Sequence, residues 1–315
     1  MKSCAGRGIP AGLFMSWPGF LRSRPWRLPA LVVLSPATGT PAGVKGSAGM
    51  ADLTRILLGT AFGCYLLAVL LYLLLLGRPR SRTASAALGL VASGFLLQSV
   101  CLAQRWWSAG YLPVTNLFAT QFFFSWTLAA TFLYFELRYR IKATGLFVMF
   151  LNLLLLGSAL PRDPAIPPLI PSLDTPLFTL HIGFSFFGYA FFAMAFSLGV
   201  LYLLQQRRPT PLLPPLAELR KLNEEAVFLG FCLFTLCMIW GSLWAYLAWG
   251  YYFSWNIKAF WSFSVWLFYA GMCHAKFVRR WQGTGYAWLS IAGFAVVLFT
   301  YLGIGLLMAS NHPLD

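Results

Sequence analysis

An all-α, polytopic integral membrane bundle of about eight transmembrane helices is the fold that this sequence predicts, and three observations carry the prediction. Of 315 residues, 59% are hydrophobic and only 10% are charged, far below the roughly 25% charged that is usual in soluble domains. Apolar runs of about 20 residues, the length that crosses a bilayer as a helix, recur from Arg55 to the C-terminus. A backbone in hydrocarbon satisfies its hydrogen bonds internally, which leaves helices or closed barrels. The alternating pattern of barrel strands, about ten residues per strand, is absent.

The eight spans read 55–77, 84–104, 114–136, 143–160, 178–204, 226–247, 259–275 and 286–309. Between spans one and two, residues 78–83 hold three arginines; between three and four, 138–142 hold two arginines and a lysine. Between five and six, 205–225 hold three arginines and a lysine; between seven and eight, 276–285 hold a lysine and two arginines. The other connections contain only Arg105, Arg162 and Lys258, so thirteen basic residues face three. The positive-inside rule puts the rich set in the cytoplasm. Both ends of the core, the Pro-rich loop 161–177 and the Trp-rich loop 249–261 are then expected outside.

Residues 1–49 differ: they are rich in Gly, Pro, Ala and Arg, lack acids and carry six basic residues. Placed outside, those charges conflict with the rule. Met50, just before ADLTRILLG, is therefore expected to be the start, with 1–49 a non-native start or a disordered or targeting segment. Residues 50–315 form the membrane domain. The segment 211–225, PLLPPLAELRKLNEE, reads as a short amphipathic interfacial helix leading into span six.

The net charge of +15 lies in short clusters between apolar spans and not on one basic face, which excludes a nucleic-acid partner and leaves the lipid bilayer. Six cysteines are scattered without a CxxC pair and read as small apolar packing residues. Of eight acidic residues only Glu136, at the inner end of span three, is placed within a span. Ion-coupled transporters keep ionisable groups at mid-membrane, so this scarcity counts against that class. No Walker loop, HExxH or GxSxG motif is present.

Topology makes the three histidines informative. His181 falls at the outer start of span five, His312 just beyond the outer end of span eight, and His274 near the inner end of span seven. Each alone reads as an ordinary interfacial side chain. Two imidazoles on one membrane face can also hold one haem iron between them. Between them lies WGSLWAYLAWGYYFSWNIKAFWSFSVW, six tryptophans in 27 residues. Interfacial anchoring is one reading of that density; a flat aromatic platform for a porphyrin, including Trp249, Trp255 and Trp261, is the other.

The stretch from Trp240 to His312 resembles the Trp-rich region of the CcsA/ResC family of cytochrome c assembly proteins, related to other haem-handling proteins with a WWD domain. The resemblance rests on WGYYFSWNIKAFW, SVWLFYAGMCHAKFVRRWQG, GYAWLSIAGFAVVLFTYLGIGLL and the terminal SNHP, and upstream on FTLHIGFSFFGYAFFA and QRWWSAGYLPVTNLFAT. It covers nearly everything after Met50. It implies that His181 and His312 are axial ligands of a haem b, bound transiently and presented on the extracytoplasmic side of a bacterial-type inner membrane for attachment to apocytochrome c. It also implies that His274 serves an inner haem site, and that a CcsB/ResB-type membrane protein with a large extracytoplasmic domain is a partner.

The departures are specific. Where the family has WDPKE, this chain has Trp255, Asn256, Ile257, Lys258 and Ala259, losing two carboxylates and a proline. Tyr111 and Ala119 replace a His and a Glu, and Gln98 stands where a histidine is frequent in span two. An amide is a poor iron ligand. The inner site would then have His274 alone, a ligand from elsewhere, or no existence. Two other classes stay open: a structural or regulatory membrane subunit that has lost haem delivery, and a small-molecule transporter.

Overall fold

The computed structural model describes residues 45–77, 81–141, 144–211 and 213–303. Eight α-helices and no strand occur among them: α1 (Lys45–Gly77), α2 (Ser81–Ala109), α3 (Leu117–Tyr139), α4 (Thr144–Ala159), α5 (Pro176–Arg207), α6 (Leu216–Trp249), α7 (Ile257–Ala275) and α8 (Thr284–Leu298). They match the eight predicted spans in order and place. Six are long and apolar enough to cross a membrane; α4, with 16 residues, is a shorter apolar helix. α7 falls outside the six because Lys258, Trp261, Trp266, Tyr269 and His274 lower the mean hydropathy of its 19 residues. The expectation for residues 1–49 falls almost entirely outside the described residues.

Helices α3 and α5 form the middle of the bundle. In their most apolar windows 72% and 67% of residues are buried, against 28% to 39% in α1, α2, α6 and α8. The long contact between α5 and α6 depends on small residues. A Cβ on Gly188 would meet the Gly230 carbonyl at 3.4 Å and the Phe234 backbone nitrogen at 3.3 Å, so glycine lets the two backbones close up.

One correction concerns 211–225. No separate interfacial helix forms there: α6 runs unbroken from Leu216 for 34 residues, about 51 Å at 1.5 Å per residue. Its first turns bury Leu219, Leu222, Asn223, Ala226 and Val227, and Asn223 Oδ1 accepts from Ser290 Oγ of α8 at 2.9 Å. Its apolar stripe packs against neighbouring helices.

The spans alternate in direction, so the connections sort into two sets. One end, here the upper, carries the connections 110–116, 160–175 and 250–256, cross-linked by side chains. Tyr111 Oη donates to the Pro167 carbonyl at 2.7 Å and Asn116 Nδ2 to that of Ala165 at 3.2 Å. Burial holds the Tyr111 phenol above its ordinary pKa, so it stays a donor. At the lower end Tyr139 bonds Glu225, and Thr284 Oγ1 donates to Gln206 Oε1 at 2.9 Å.

Candidate functional site

His181 sits in the second turn of α5, a helix started by Pro176 and capped by Thr175, whose hydroxyl accepts from Phe178 N at 3.2 Å. Its Nδ1 lies 3.0 Å from the Cys237 carbonyl of α6. Cys237 Sγ lies 3.4 Å from the same nitrogen; a carbonyl only accepts, which favours the proton on Nδ1 and leaves the Nε2 lone pair for another partner. The approach needs Gly241, where a Cβ would fall 2.5 Å from Nδ1. The Trp244 indole lies nearly parallel to the imidazole, 17° between planes and 6.1 Å between centroids. Trp244 is itself tied, its Nε1 donating to the Ser172 carbonyl at 2.8 Å. Three groups of α6 thus fix one ring of α5, and the loop above fixes one of those three.

From Trp244 the aromatic surface continues through Trp249, 4.9 Å away, to Tyr251, 6.0 Å further and stacked. Gly250 ends α6 in the left-handed region at φ 80°, where other residues are strained. Ser242 Oγ donates to the Tyr252 carbonyl at 2.8 Å and Tyr252 stacks on Tyr246, which folds the loop back over α6. Trp255 is 76% exposed and sets its edge against Phe253, joining a second ring series with Phe263 and Trp266. Trp261 packs against Phe299, in the π turn Phe299–Gly303 that follows α8. Of the three tryptophans singled out in the sequence, Trp249 is thus the one in the ring series that starts at His181.

That π turn is fastened at the upper end. Tyr301 Oη donates to Thr120 Oγ1 at 3.2 Å and its ring lies edge-on to Phe124 and Phe186. The described chain stops at Gly303, so His312 lies outside the described residues. His274 is elsewhere: it is 18 positions beyond Asn256, about 27 Å along α7, in the last turn at the lower end. It is exposed, with Nδ1 2.8 Å from the Ala270 carbonyl.

The departures acquire physical meaning. Asn256 caps α7, its Oδ1 accepting from Ala259 N at 2.7 Å. Asn116 caps α3 likewise, accepting from Ala119 N at 2.8 Å. Ala119 and Ala259 therefore both occupy the third helical position, where a Glu completes a capping box. Gln98 is buried and spent at both ends. Tyr65 Oη donates to its Oε1 at 2.6 Å, its Nε2 donates to Ser125 Oγ at 2.9 Å, and Ser125 bonds Asn152. This chain joins α1, α2, α3 and α4. Sequence reasoning missed it, although each member is an isolated polar group in an apolar run.

Fold and site together define a multi-pass helical membrane bundle whose upper end holds a pinned imidazole beside a run of aromatic rings. The family model described as Cytochrome C assembly protein matches residues 114–312. The chain belongs to the cytochrome c assembly protein family. It is 30% identical over 292 residues to the cytochrome c biogenesis protein CcsA of Synechococcus sp. (strain RCC307), covering 82% of this chain and 94% of that one. CcsA of Prochlorococcus marinus (strain NATL1A) is 29% identical over 266 residues, 73% of this chain and 84% of that protein. Protein NrfI of Wolinella succinogenes is 29% identical over 82% of this chain but only 28% of its own length. Among solved structures, cytochrome c heme lyase CcmF shares the fold at a TM-score of 0.64 and 16% identity, over 89% of this chain and 50% of that one. This chain thus spans half the length of CcmF.

Proposed function

We propose that this protein, a member of a family of cytochrome c maturation, binds haem at the upper end of its bundle and presents it for covalent attachment to apocytochrome c. The observation that carries the reading is the His181 hydrogen bond: the Cys237 carbonyl lies 3.0 Å from Nδ1 and favours the tautomer protonated there, which leaves Nε2 unprotonated, as an iron ligand requires. Trp244 fixes the plane of the ring, and Trp249 offers a face beside it. Haem, when bound, supplies the vinyl groups that form thioethers; the chain's part is to orient, ligate and shield. His312 is the second axial ligand in this reading, Trp255 and Trp261 are the outer rim of the platform, and His274 serves a separate inner site. The upper end is extracytoplasmic in a bacterial-type inner membrane, the bound group is haem b, and a CcsB/ResB-type membrane protein is the partner.

The test is the absorption spectrum of the purified protein loaded with haem. A Soret band that disappears in the double variant H181A/H312A and persists in H274A supports the reading. A band indifferent to the double change and lost in H274A moves the site to the lower end. A colourless wild-type protein, purified with its partner and with haem in excess, leaves a structural subunit or a transporter.

A further inference from the structure

We propose that Arg105 is the seat of an oxyanion that enters from the upper end of the bundle and binds the Nε–Nη2 edge of its guanidinium. Arg105, in the last turns of α2, is 1% exposed, among the largest side chains buried in the protein. Its Nη1 donates to the Pro164 carbonyl at 2.7 Å, and the Phe118 ring lies 5.1 Å beneath its central carbon. Nε and Nη2 are buried with no hydrogen-bond partner.

Those two nitrogens form one edge of the guanidinium, the edge that accepts two oxygens of a carboxylate or phosphate side by side. The ion pairs among the described residues, Asp52 with Arg55 and Arg220 with Glu224, do not involve Arg105. A water could fill the donors but would leave the charge uncompensated in a low-dielectric surrounding, where an unpaired charge is costly. An anion satisfies donors and charge together.

The surroundings are polar. The hydroxyls of Thr54 and Thr115 are buried beside it, Thr54 next to Cys101, one helical turn from Arg105, and Thr115 next to Tyr111. The loop that carries Pro164 carries Ser172 as well, the residue that holds Trp244 against His181. One strap of chain therefore runs from the oxyanion seat to the imidazole site.

Two sources share this chemistry, a propionate of the tetrapyrrole and the phosphate of an anionic lipid; only the first rests on the function proposed above. Detergent-solubilised, delipidated full-length protein would be titrated with haem, with haem dimethyl ester, in which both carboxylates are masked, and with phosphatidylglycerol. If the source is the propionate, wild type binds haem about tenfold more tightly than the ester, a typical loss for one charge-assisted pair, and R105Q removes the preference. If the source is lipid, phosphatidylglycerol raises the melting temperature of wild type and not of R105Q. R105K keeps the charge without the fork and is expected to behave as R105Q; it carries the comparison if R105Q does not fold. Ligand effects equal in wild type and both variants overturn the seat. Absence of haem binding alongside an Arg105-dependent lipid effect overturns the haem reading and leaves the seat standing.

Discussion

Gly241→Ala is a one-carbon perturbation aimed at His181. The added Cβ lies 2.5 Å from Nδ1 and 2.8 Å from Cε1, whereas comfortable non-bonded contacts begin near about 3.5 Å. The ring has to retreat by about 1 Å, which stretches the 3.0 Å hydrogen bond to the Cys237 carbonyl beyond useful range. Trp244, nearly parallel to the ring and anchored to Ser172, restricts where the ring can go. Overpacking of this kind costs about 1–3 kcal/mol and the lost hydrogen bond about 0.5–1.5, so the folded protein should lose about 2–4 kcal/mol. With the tautomer and orientation of the imidazole no longer fixed, haem affinity should fall by about 10- to 100-fold, the usual cost of removing a partner behind a metal-binding histidine. Titration followed at the Soret band measures this directly. Gly183→Ala is the control: two residues from His181 on α5, its Cβ would meet nothing within 4 Å. Equal haem affinity and equal Soret position in G241A, G183A and wild type would refute the view that Cys237 and Gly241 hold the ring.

Two further substitutions test the elements around the site. Ala259→Glu should complete a capping box with Asn256 at the start of α7. It should add about 0.3–1.5 kcal/mol, read as a higher melting temperature in detergent; no gain would mean that the third helical position of α7 does not reach back to its cap. Gln98→Leu removes both the acceptor of Tyr65 and the donor to Ser125. Hydrogen bonds between membrane helices average about 0.6 kcal/mol and reach about 1.7, so the pair should account for about 1–3 kcal/mol in a denaturation experiment. In the proposed function, haem binding should survive, and a loss of binding with stability intact would make Gln98 part of the site.

The helices were legible because their cause is local: a run of about 20 apolar residues has no other spanning solution. What stayed hidden depends on pairs of distant positions. Gly241 and Cys237 matter through His181, 56 residues from Cys237 in sequence, and nothing in α6 alone marks them. Tyr65, Gln98, Ser125 and Asn152 each look like a stray polar group until four helices bring them together. The stretch 211–225 misled for a related reason. Its charges made a stripe that suits a lipid surface or a helix neighbour equally well, and only packing against α8 through Asn223 and Ser290 decides between them.

The departures from the family pattern divide along the same line. Asn256 and Ala259 read in the sequence as lost carboxylates beside a haem platform, yet the geometry makes them the cap and third residue of a helix. Asn116 and Ala119 repeat that arrangement at α3. Where a Glu at the third position would reach back to the capping residue, this chain keeps the forward half of the exchange at both helices. An asparagine cap holds the helix start nearly as well as an aspartate, so these changes alter the local negative charge far more than the placement of Trp255 or Trp261. Gln98 is a different case: both ends of its amide are hydrogen-bonded, to Tyr65 of α1 and Ser125 of α3, so it serves to join helices. The effect of the three carboxylates lost at Asn256, Ala259 and Ala119 is then electrostatic, and in the proposed function it should be visible as a haem affinity in A259E, where the side chain is partly exposed, that depends more on ionic strength than that of wild type, since partly exposed charges are screened by salt. An ionic-strength dependence identical in the two proteins would mean that those carboxylates act on the helix starts alone.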